Sequence, residues 1–212
     1  MRRSRRIVMI VVGVLVVAGI MLTAQGAYIP AKAWLAQHLL ERAWRHTQAG
    51  RPGKPWPWAD TRPVARLSVP RLGRTQILLA GAHGRALAFG PGHLDGTALP
   101  GRPGHSVISA HRDTHFAFLK DIRTGDNLVV ETSAGRRRAY RVVDRRIMDT
   151  RHAGLSYHPD QDLLALVTCY PFENWRAGGP LRYLVTAAAV DRKSSTAGPT
   201  TAAYQALPAA LK

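Results

Sequence analysis

The distribution of apolar and polar residues divides the chain into an N-terminal helical part and a longer part that is typical of β-structure. Residues 7–22 are apolar or glycine throughout, and this run continues to Ala24 before the first amide. In residues 31–46, apolar side chains recur at the three- and four-residue spacing of an amphipathic helix. From residue 64 onward, short apolar or alternating runs are separated by glycine and proline turns, which predicts β-strands.

These strands predict an all-β domain, either a sandwich or a closed barrel. Short helical segments are predicted near residues 83–88 and 115–121. The predicted strands are residues 64–69, 74–79, 104–110, 127–132, 138–148, 162–169 and 181–190.

The N-terminal apolar run predicts a membrane segment. Its length lies between the roughly 7–15 residues of a cleavable signal core and the roughly 17–25 of a spanning helix, and we favour an anchor over a cleaved signal. Four arginines precede it, so the positive-inside rule keeps this end in the cytoplasm and exports everything after Gln25. The arginines are Arg2, Arg3, Arg5 and Arg6.

Together these patterns predict four parts of the chain. Residues 1–26 form a basic tip and membrane anchor, and residues 27–63 form an amphipathic helix followed by a linker rich in proline and glycine. This helix is expected either to lie on the membrane surface or to pack against the domain. Residues 64–190 form the β-domain, and residues 191–212 are expected to be a disordered tail.

The charge of the chain restricts the choice of partners only in part. Thirty Lys and Arg residues against 13 Asp and Glu residues give a formal charge of +17, which suits nucleic acid, anionic lipid or an acidic polymer as a neighbour. The sequence contains no nucleic-acid-binding motif and no zinc-ligand spacing. We therefore expect no nucleic-acid partner, no metal and no cofactor.

The single cysteine, Cys169, is the first candidate for chemistry because it ends an apolar strand that is closed by Pro171. A free cysteine is often only a small buried hydrophobic residue. A cysteine nucleophile needs a base and a group that stabilises an oxyanion. His111 follows the end of one predicted strand and Arg182 begins another, so both are candidates, and His115 is a rival base.

The order of these residues excludes several cysteine and serine enzymes. His111 precedes Cys169, whereas papain-like enzymes have the cysteine first, and the sequence around Cys169 is not that of caspases. The Gly-x-Ser-x-Gly motif of serine hydrolases is also absent.

Four segments in this order resemble the sortases, a family of cysteine transpeptidases. The resemblance covers roughly residues 64–190. The segments are Gly96-Thr97-Ala98-Leu99-Pro100-Gly101, Gly104-His105-Ser106-Val107-Ile108-Ser109-Ala110-His111-Arg112-Asp113-Thr114, Leu166-Val167-Thr168-Cys169 and Leu181-Arg182-Tyr183-Leu184-Val185.

The resemblance implies an eight-stranded β-barrel with His111, Cys169 and Arg182 as the catalytic residues, supported by Asp113 and Thr168. It also implies a substrate, a secreted protein with a C-terminal sorting signal similar to LPXTG. Cys169 would form a thioester with this signal, and an amine, whose identity the sequence does not give, would then take the acyl group. A peptidase that hydrolyses the thioester, or a catalytically silent membrane-tethered binding domain, is the alternative.

Within the family, the chain is most similar to the Gram-negative group called class GN. This similarity rests on the N-terminal anchor, on the helix that begins with residues 29–35 and on the extension at residues 169–172. It implies an inner-membrane protein with one span and a periplasmic catalytic domain. Where the common signature has threonine four positions before the cysteine, this chain has Ala165, which we expect to affect packing or substrate contacts.

Overall fold

A computed structural model describes residues 2–51, 53–152, 154–174 and 178–190. The predicted tail, residues 191–212, lies outside the described residues. Within the described ranges the chain forms two α-helices, two short 3₁₀ helices and eight strands that close into a barrel. The prediction of an all-β, eight-stranded barrel preceded by an N-terminal apolar helix is confirmed.

The helices are α1 (Arg2–Gln48) and α2 (Gly84–Leu87), and the 3₁₀ helices span Pro70–Leu72 and Ala117–Asp121. The strands are β1 (Pro63–Val69), β2 (Arg74–Ala80), β3 (Gly92–His93), β4 (Ser106–Ser109), β5 (Asn127–Thr132), β6 (Arg137–Asp149), β7 (Leu163–Cys169) and β8 (Leu181–Ala189).

The strands follow the order β1-β2-β3-β4-β7-β8-β6-β5 around the barrel. Two of the pairs, β2 with β3 and β4 with β7, are parallel, and the others are antiparallel. The seven strands predicted from alternation are all present with small shifts at their ends. The eighth, β3, was not predicted because two residues are too few to show any period.

Alternation along each strand sends one set of side chains into the barrel. In β1 the burial alternates from residue to residue, and Ala65, Leu67 and Val69 point inward. Inward residues of β7 include Leu164 and Leu166, which are fully buried in the same core. This core fixes which face of each strand is left outside, and therefore which side chains can form a surface site.

Helix α1 is continuous, so the predicted anchor and amphipathic helix form one element. Its C-terminal half packs on the barrel: Leu40 and Trp44 are buried against Ile77 and Leu79 of β2. Within the described residues, one helix is long and apolar enough to cross a bilayer, and it is the part of α1 that begins at Met9.

The segment between α1 and β1 has little regular structure but packs closely. A Cβ placed at Gly53 would lie 2.0 Å from the Thr47 hydroxyl oxygen, so only glycine fits beside α1 at this point. At the other end of the segment, the buried Thr61 hydroxyl donates a 2.7 Å hydrogen bond to the Ala80 carbonyl. This segment therefore holds α1 and β2 in a fixed arrangement.

Candidate active site

Cys169 and Arg182 face each other across two neighbouring strands. Strands β7 and β8 are antiparallel, and Cys169, the last residue of β7, is the register partner of Arg182, the second residue of β8. Directly opposite residues in such a pair have Cβ atoms roughly 4.5–5.5 Å apart. Cys169 is a free thiol and half-buried. A thiol and a guanidinium are thus brought together by backbone pairing.

Strand β4 brings His111 to the same end of the barrel. It runs parallel to β7 in a register that pairs Ser109 with Val167. One residue later, the Ala110 N–H still donates to the Val167 carbonyl at 3.2 Å. His111 comes next and therefore leaves β4 beside the strand end that carries Cys169, with its side chain exposed.

Thr168 connects these two strand ends from inside the barrel. It is 1% exposed, and its hydroxyl donates a 2.7 Å hydrogen bond to the carbonyl of Ala110. The residues that follow this bonded pair are His111, just beyond the end of β4, and Cys169, the last residue of β7. The Thr168 hydroxyl therefore ties together the two chain segments that lead to the imidazole and the thiol.

Cys169 and Arg182 lie on the outer face of the sheet, and the exposed His111 follows the end of β4. Side chains two residues apart share a face, so Cys169 lies on the same face as Ala165, and Arg182 on the same face as Leu184. An apolar cluster on that face consists of Val107, Ala165 and Leu184, with Met148, Leu155 and Val167 packed partly buried against it. The site is thus continuous with an apolar surface, to whose packing Ala165 contributes.

Arg182 is held by the start of its own strand. Its Nη1 donates to the Gly179 carbonyl at 2.7 Å and to the Leu181 carbonyl at 2.9 Å. Among the described residues, the other guanidinium nitrogens, Nε and Nη2, have no hydrogen-bond partner. They are consequently able to donate to an oxygen bound at the thiol.

The rival histidine, His115, is placed behind His111. The turn between them is closed by the Phe116 N–H, which donates to the His111 carbonyl at 3.0 Å. Burial lowers the pKa of His115, a hydrogen bond with the backbone of Ala88 acts in the opposite direction, and the nearby charge of His111 lowers it further. His115 is therefore half-buried and less readily protonated, while His111 is exposed.

Arg112 is an unexpected buried cation in the same turn. It is 4% exposed, and its Nη2 donates to the Asn174 carbonyl at 2.5 Å, which connects the His111 turn to the loop after Cys169. Its Nε donates to the Asp113 carboxylate at 3.2 Å. Asp113 thus forms a loop ion pair with Arg112, and its carboxylate is 66% exposed.

Sequence reasoning did not single out Arg112. Arginine is usually exposed, so its position next to His111 gave no indication of burial. The one available signal was that Arg112 lies within the matched His111-Arg112-Asp113 segment. That segment does not indicate which of its side chains is buried.

Three aromatic rings pack together at the edge of the barrel core, next to the strand end that carries Cys169. Phe172 packs edge-on against Tyr183 with ring centroids 5.3 Å apart, and Tyr170 stacks on Tyr183 at 6.3 Å. Tyr183 is the register partner of Thr168. These rings form a partly buried support for the loop that follows Cys169.

This arrangement supports nucleophilic chemistry at a carbonyl. It provides a thiol, an exposed imidazole on the neighbouring strand end and a cation across the next strand pair, which are the groups that thioester formation needs. No group of three or more His, Cys, Asp or Glu side chains that could hold a metal occurs in the part of the chain that the structure describes.

Comparison with known proteins gives concordant matches. A family model described as a sortase domain matches residues 67–190. Sortase D of Bacillus subtilis (strain 168) is 29% identical over 120 residues, which cover 56% of this chain and 60% of the relative. The chain thus spans less than two thirds of the length of this relative.

Two solved structures show the same architecture. Sortase A from Corynebacterium diphtheriae is 29% identical with a TM-score of 0.54, over 69% of this chain and 67% of that one. Sortase C1 of Streptococcus agalactiae is 27% identical with a TM-score of 0.54, over 62% of this chain and 70% of that one.

Proposed function

Because this chain belongs to the sortase family, we propose that it is a cysteine transpeptidase that cleaves a C-terminal sorting signal and transfers the acyl group to an amine. The observation that carries this proposal is the register pairing of Cys169 with Arg182, at the strand end where β4 delivers His111. The family implies a sorting signal similar to LPXTG.

In the first step, the Cys169 thiolate attacks the carbonyl carbon of the scissile peptide bond. A C–S bond forms, and the carbonyl oxygen becomes an oxyanion next to Arg182. As the C–N bond breaks, His111 gives its proton to the departing amine, and a thioester remains on Cys169.

In the second step, an amine attacks the thioester carbonyl. His111 removes a proton from the incoming nitrogen, the new C–N bond forms, and the C–S bond breaks to release the thiolate. Arg182 stabilises the oxyanion in both steps through its Nε–H and Nη2–H groups. Asp113 acts through Arg112 and Thr168 through Ala110, so both are positioning residues.

The outer apolar cluster supplies the surface on which the peptide lies. Ala165 and Leu184 are buried in it, while Val167 and Leu155 are only half-buried and remain open to a ligand. A peptide that binds along this face buries apolar side chains next to the thiol, which favours a sorting signal with an apolar residue before the scissile bond.

The N-terminal part of α1 bears on where the protein is located and on its class within the family. The exposed apolar stretch of α1 that begins at Met9 serves as a single membrane anchor, and the charge ahead of it places residues 27–190 on the exported side. With the residue 169–172 extension, these features support membership of the Gram-negative class GN, an inner-membrane position and a periplasmic barrel.

The direct test is product analysis with the full chain in detergent. A peptide carrying an LPXTG-like motif is incubated with and without a primary amine, and the products are identified by mass spectrometry. The proposal predicts the amide of the added amine as the main product for the parent and none for Cys169→Ala. Formation of the free acid alone at every amine concentration would identify a hydrolase instead.

A further inference from the structure

An open apolar groove lies between α1 and the segment that follows it. Its volume is about 670 Å³, and its walls include Leu35 of α1, Trp58 of the following segment and Phe89 beside α2. Lys32, Arg85 and Asp60 line the same groove and are exposed. The groove therefore combines an apolar floor with a net positive charge, and the active-site chemistry above uses none of these residues.

The length of α1 places this groove next to the bilayer. A hydrocarbon core of about 30 Å takes about 20 helical residues, which counted from Met9 end at Tyr28. At a rise of about 1.5 Å per residue, Lys32 lies ~6 Å and Leu35 ~10 Å beyond that point. The polar layer on each side of the core is roughly 5–8 Å thick, and a tilted helix brings these residues closer still. The mouth of the groove therefore falls at the headgroup layer.

The exposed residues around the groove have the composition of a membrane interface. Tyr28, Trp34 and Trp58 are 65%, 62% and 83% exposed, although their rings are largely apolar. Tyrosine and tryptophan favour the headgroup boundary of a bilayer, and lysine and arginine favour anionic lipid. The chain as a whole carries a formal charge of +17, which complements an anionic surface.

We propose that this groove docks on the headgroup layer of the bilayer that α1 crosses, with Trp58 inserted and with Lys32 and Arg85 on anionic lipid. This inference rests on the membrane anchoring in the proposed function. Docking fixes the orientation of the barrel, because α1 and the groove then contact the bilayer at two places.

The test measures contact of Trp58 with lipid in the full chain. The chain is reconstituted into vesicles of phosphatidylcholine with phosphatidylglycerol, in which a part of the lipid carries bromine near the headgroup end of its acyl chains. The Trp34→Phe variant removes the exposed tryptophan on α1, and Trp34→Phe/Trp58→Phe supplies the baseline from the other tryptophans. The proposal predicts clearly more quenching in the single variant than in the double variant.

Charge reversal identifies the lipid contacts. Lys32→Glu/Arg85→Glu in the Trp34→Phe background should weaken docking about tenfold or more and reduce Trp58 quenching accordingly. The matched control is Arg136→Glu/Arg137→Glu, two exposed arginines in the β5–β6 hairpin. This hairpin lies near Gln48 at the far end of α1, ~30 Å along the helix from Tyr28, so the control should quench as the parent does.

Flotation with the vesicles after an alkaline wash reports the anchor separately. Protein that floats while Trp58 shows no quenching above the baseline overturns the docking and leaves the anchor intact. The same result is expected if residues 191–212 or a second copy of the chain fill the groove instead of lipid. Equal quenching in the Lys32→Glu/Arg85→Glu variant and the parent also overturns it, and protein that fails to float overturns the anchor as well.

Discussion

The buried hydroxyl of Thr168 donates a hydrogen bond to the carbonyl of Ala110, and each of these residues immediately precedes a candidate catalytic residue. The bond runs from β7 to the residue that directly follows β4, the strand that pairs in parallel with β7. The distance between the Cys169 thiol and the His111 imidazole therefore depends on an interaction inside the barrel core.

Replacing Thr168 with valine keeps the volume but removes the hydroxyl. A buried carbonyl left without its donor costs about 1–3 kcal/mol, so the free energy of unfolding should fall by about that amount. Denaturant titration of Thr168→Val and of Thr168→Ser checks this. Serine keeps the hydroxyl, so it should lose less; equal losses for both variants would remove the role assigned to this bond.

Two histidines, the buried His105 and the half-buried His115, predict a loss of stability at mildly acidic pH. Burial lowers the pKa of His105, helped by the charge of His158, and burial also lowers the pKa of His115. Both side chains therefore bind protons less readily in the folded protein than in the unfolded chain, where they titrate near the ordinary value of 6.5. Their stabilising contribution is complete above that pH and is lost as the pH falls below it.

The measurement is the free energy of unfolding at several pH values between about 8 and 5, a range in which histidines titrate but ordinary carboxylates do not. His105→Gln and His115→Gln should each flatten the decline. The control is His152→Gln, which changes an exposed histidine and should leave the slope unaltered. A decline of the same steepness in all three variants would contradict the prediction.

The two histidines of the site should differ strongly in catalysis. General acid–base catalysis contributes about 10²–10⁴ in rate, so His111→Ala should reduce turnover by that factor. His115→Gln should stay within about tenfold of the parent, about 1.4 kcal/mol of barrier, because His115 is half-buried in the turn behind His111 and not at the strand end beside Cys169. Rates of peptide cleavage by the two variants distinguish the assignments, and the reverse order would make His115 the base.

Arg182 offers a test of geometry against charge. Removing one oxyanion donor costs about 10²–10³ in turnover, so Arg182→Ala should fall at least that far. Arg182→Lys keeps the charge but lacks the planar fork, and it should recover only part of the loss. The turnover number of each variant with a peptide and amine checks this.

The control for that experiment must lie on the same sheet but away from the site. Arg176, which is close to Arg182 in sequence, lies outside the described residues. Arg141 is exposed on β6 opposite Ala188, near the other end of β8, and Arg141→Ala should behave as the parent. A comparable loss in both alanine variants would point to a general effect of charge instead of an oxyanion contact.

Much of this architecture could be predicted from the sequence, because alternation of apolar residues marks a strand with one buried face. The sequence could not show that α1 is continuous, because Gly26 and Pro30 are residue types that normally weaken or kink a helix. The three candidate catalytic residues could be named from motif order, and the strand register places Cys169 and Arg182 on one outer face. The burial of Arg112 and the hydrogen bond of Thr168 depend on tertiary contacts that no local pattern encodes.

The central claim is that Cys169 is the nucleophile, and the most direct test is the intact mass of the protein during turnover. The full chain is mixed with an LPXTG-like peptide without added amine, quenched in acid, weighed by mass spectrometry and mapped by proteolysis. The account predicts a mass increase equal to the acyl fragment, located on Cys169 and absent from Cys169→Ala. An acyl adduct on the alanine variant at any residue, or peptide cleavage by that variant at the parent's rate, would contradict it.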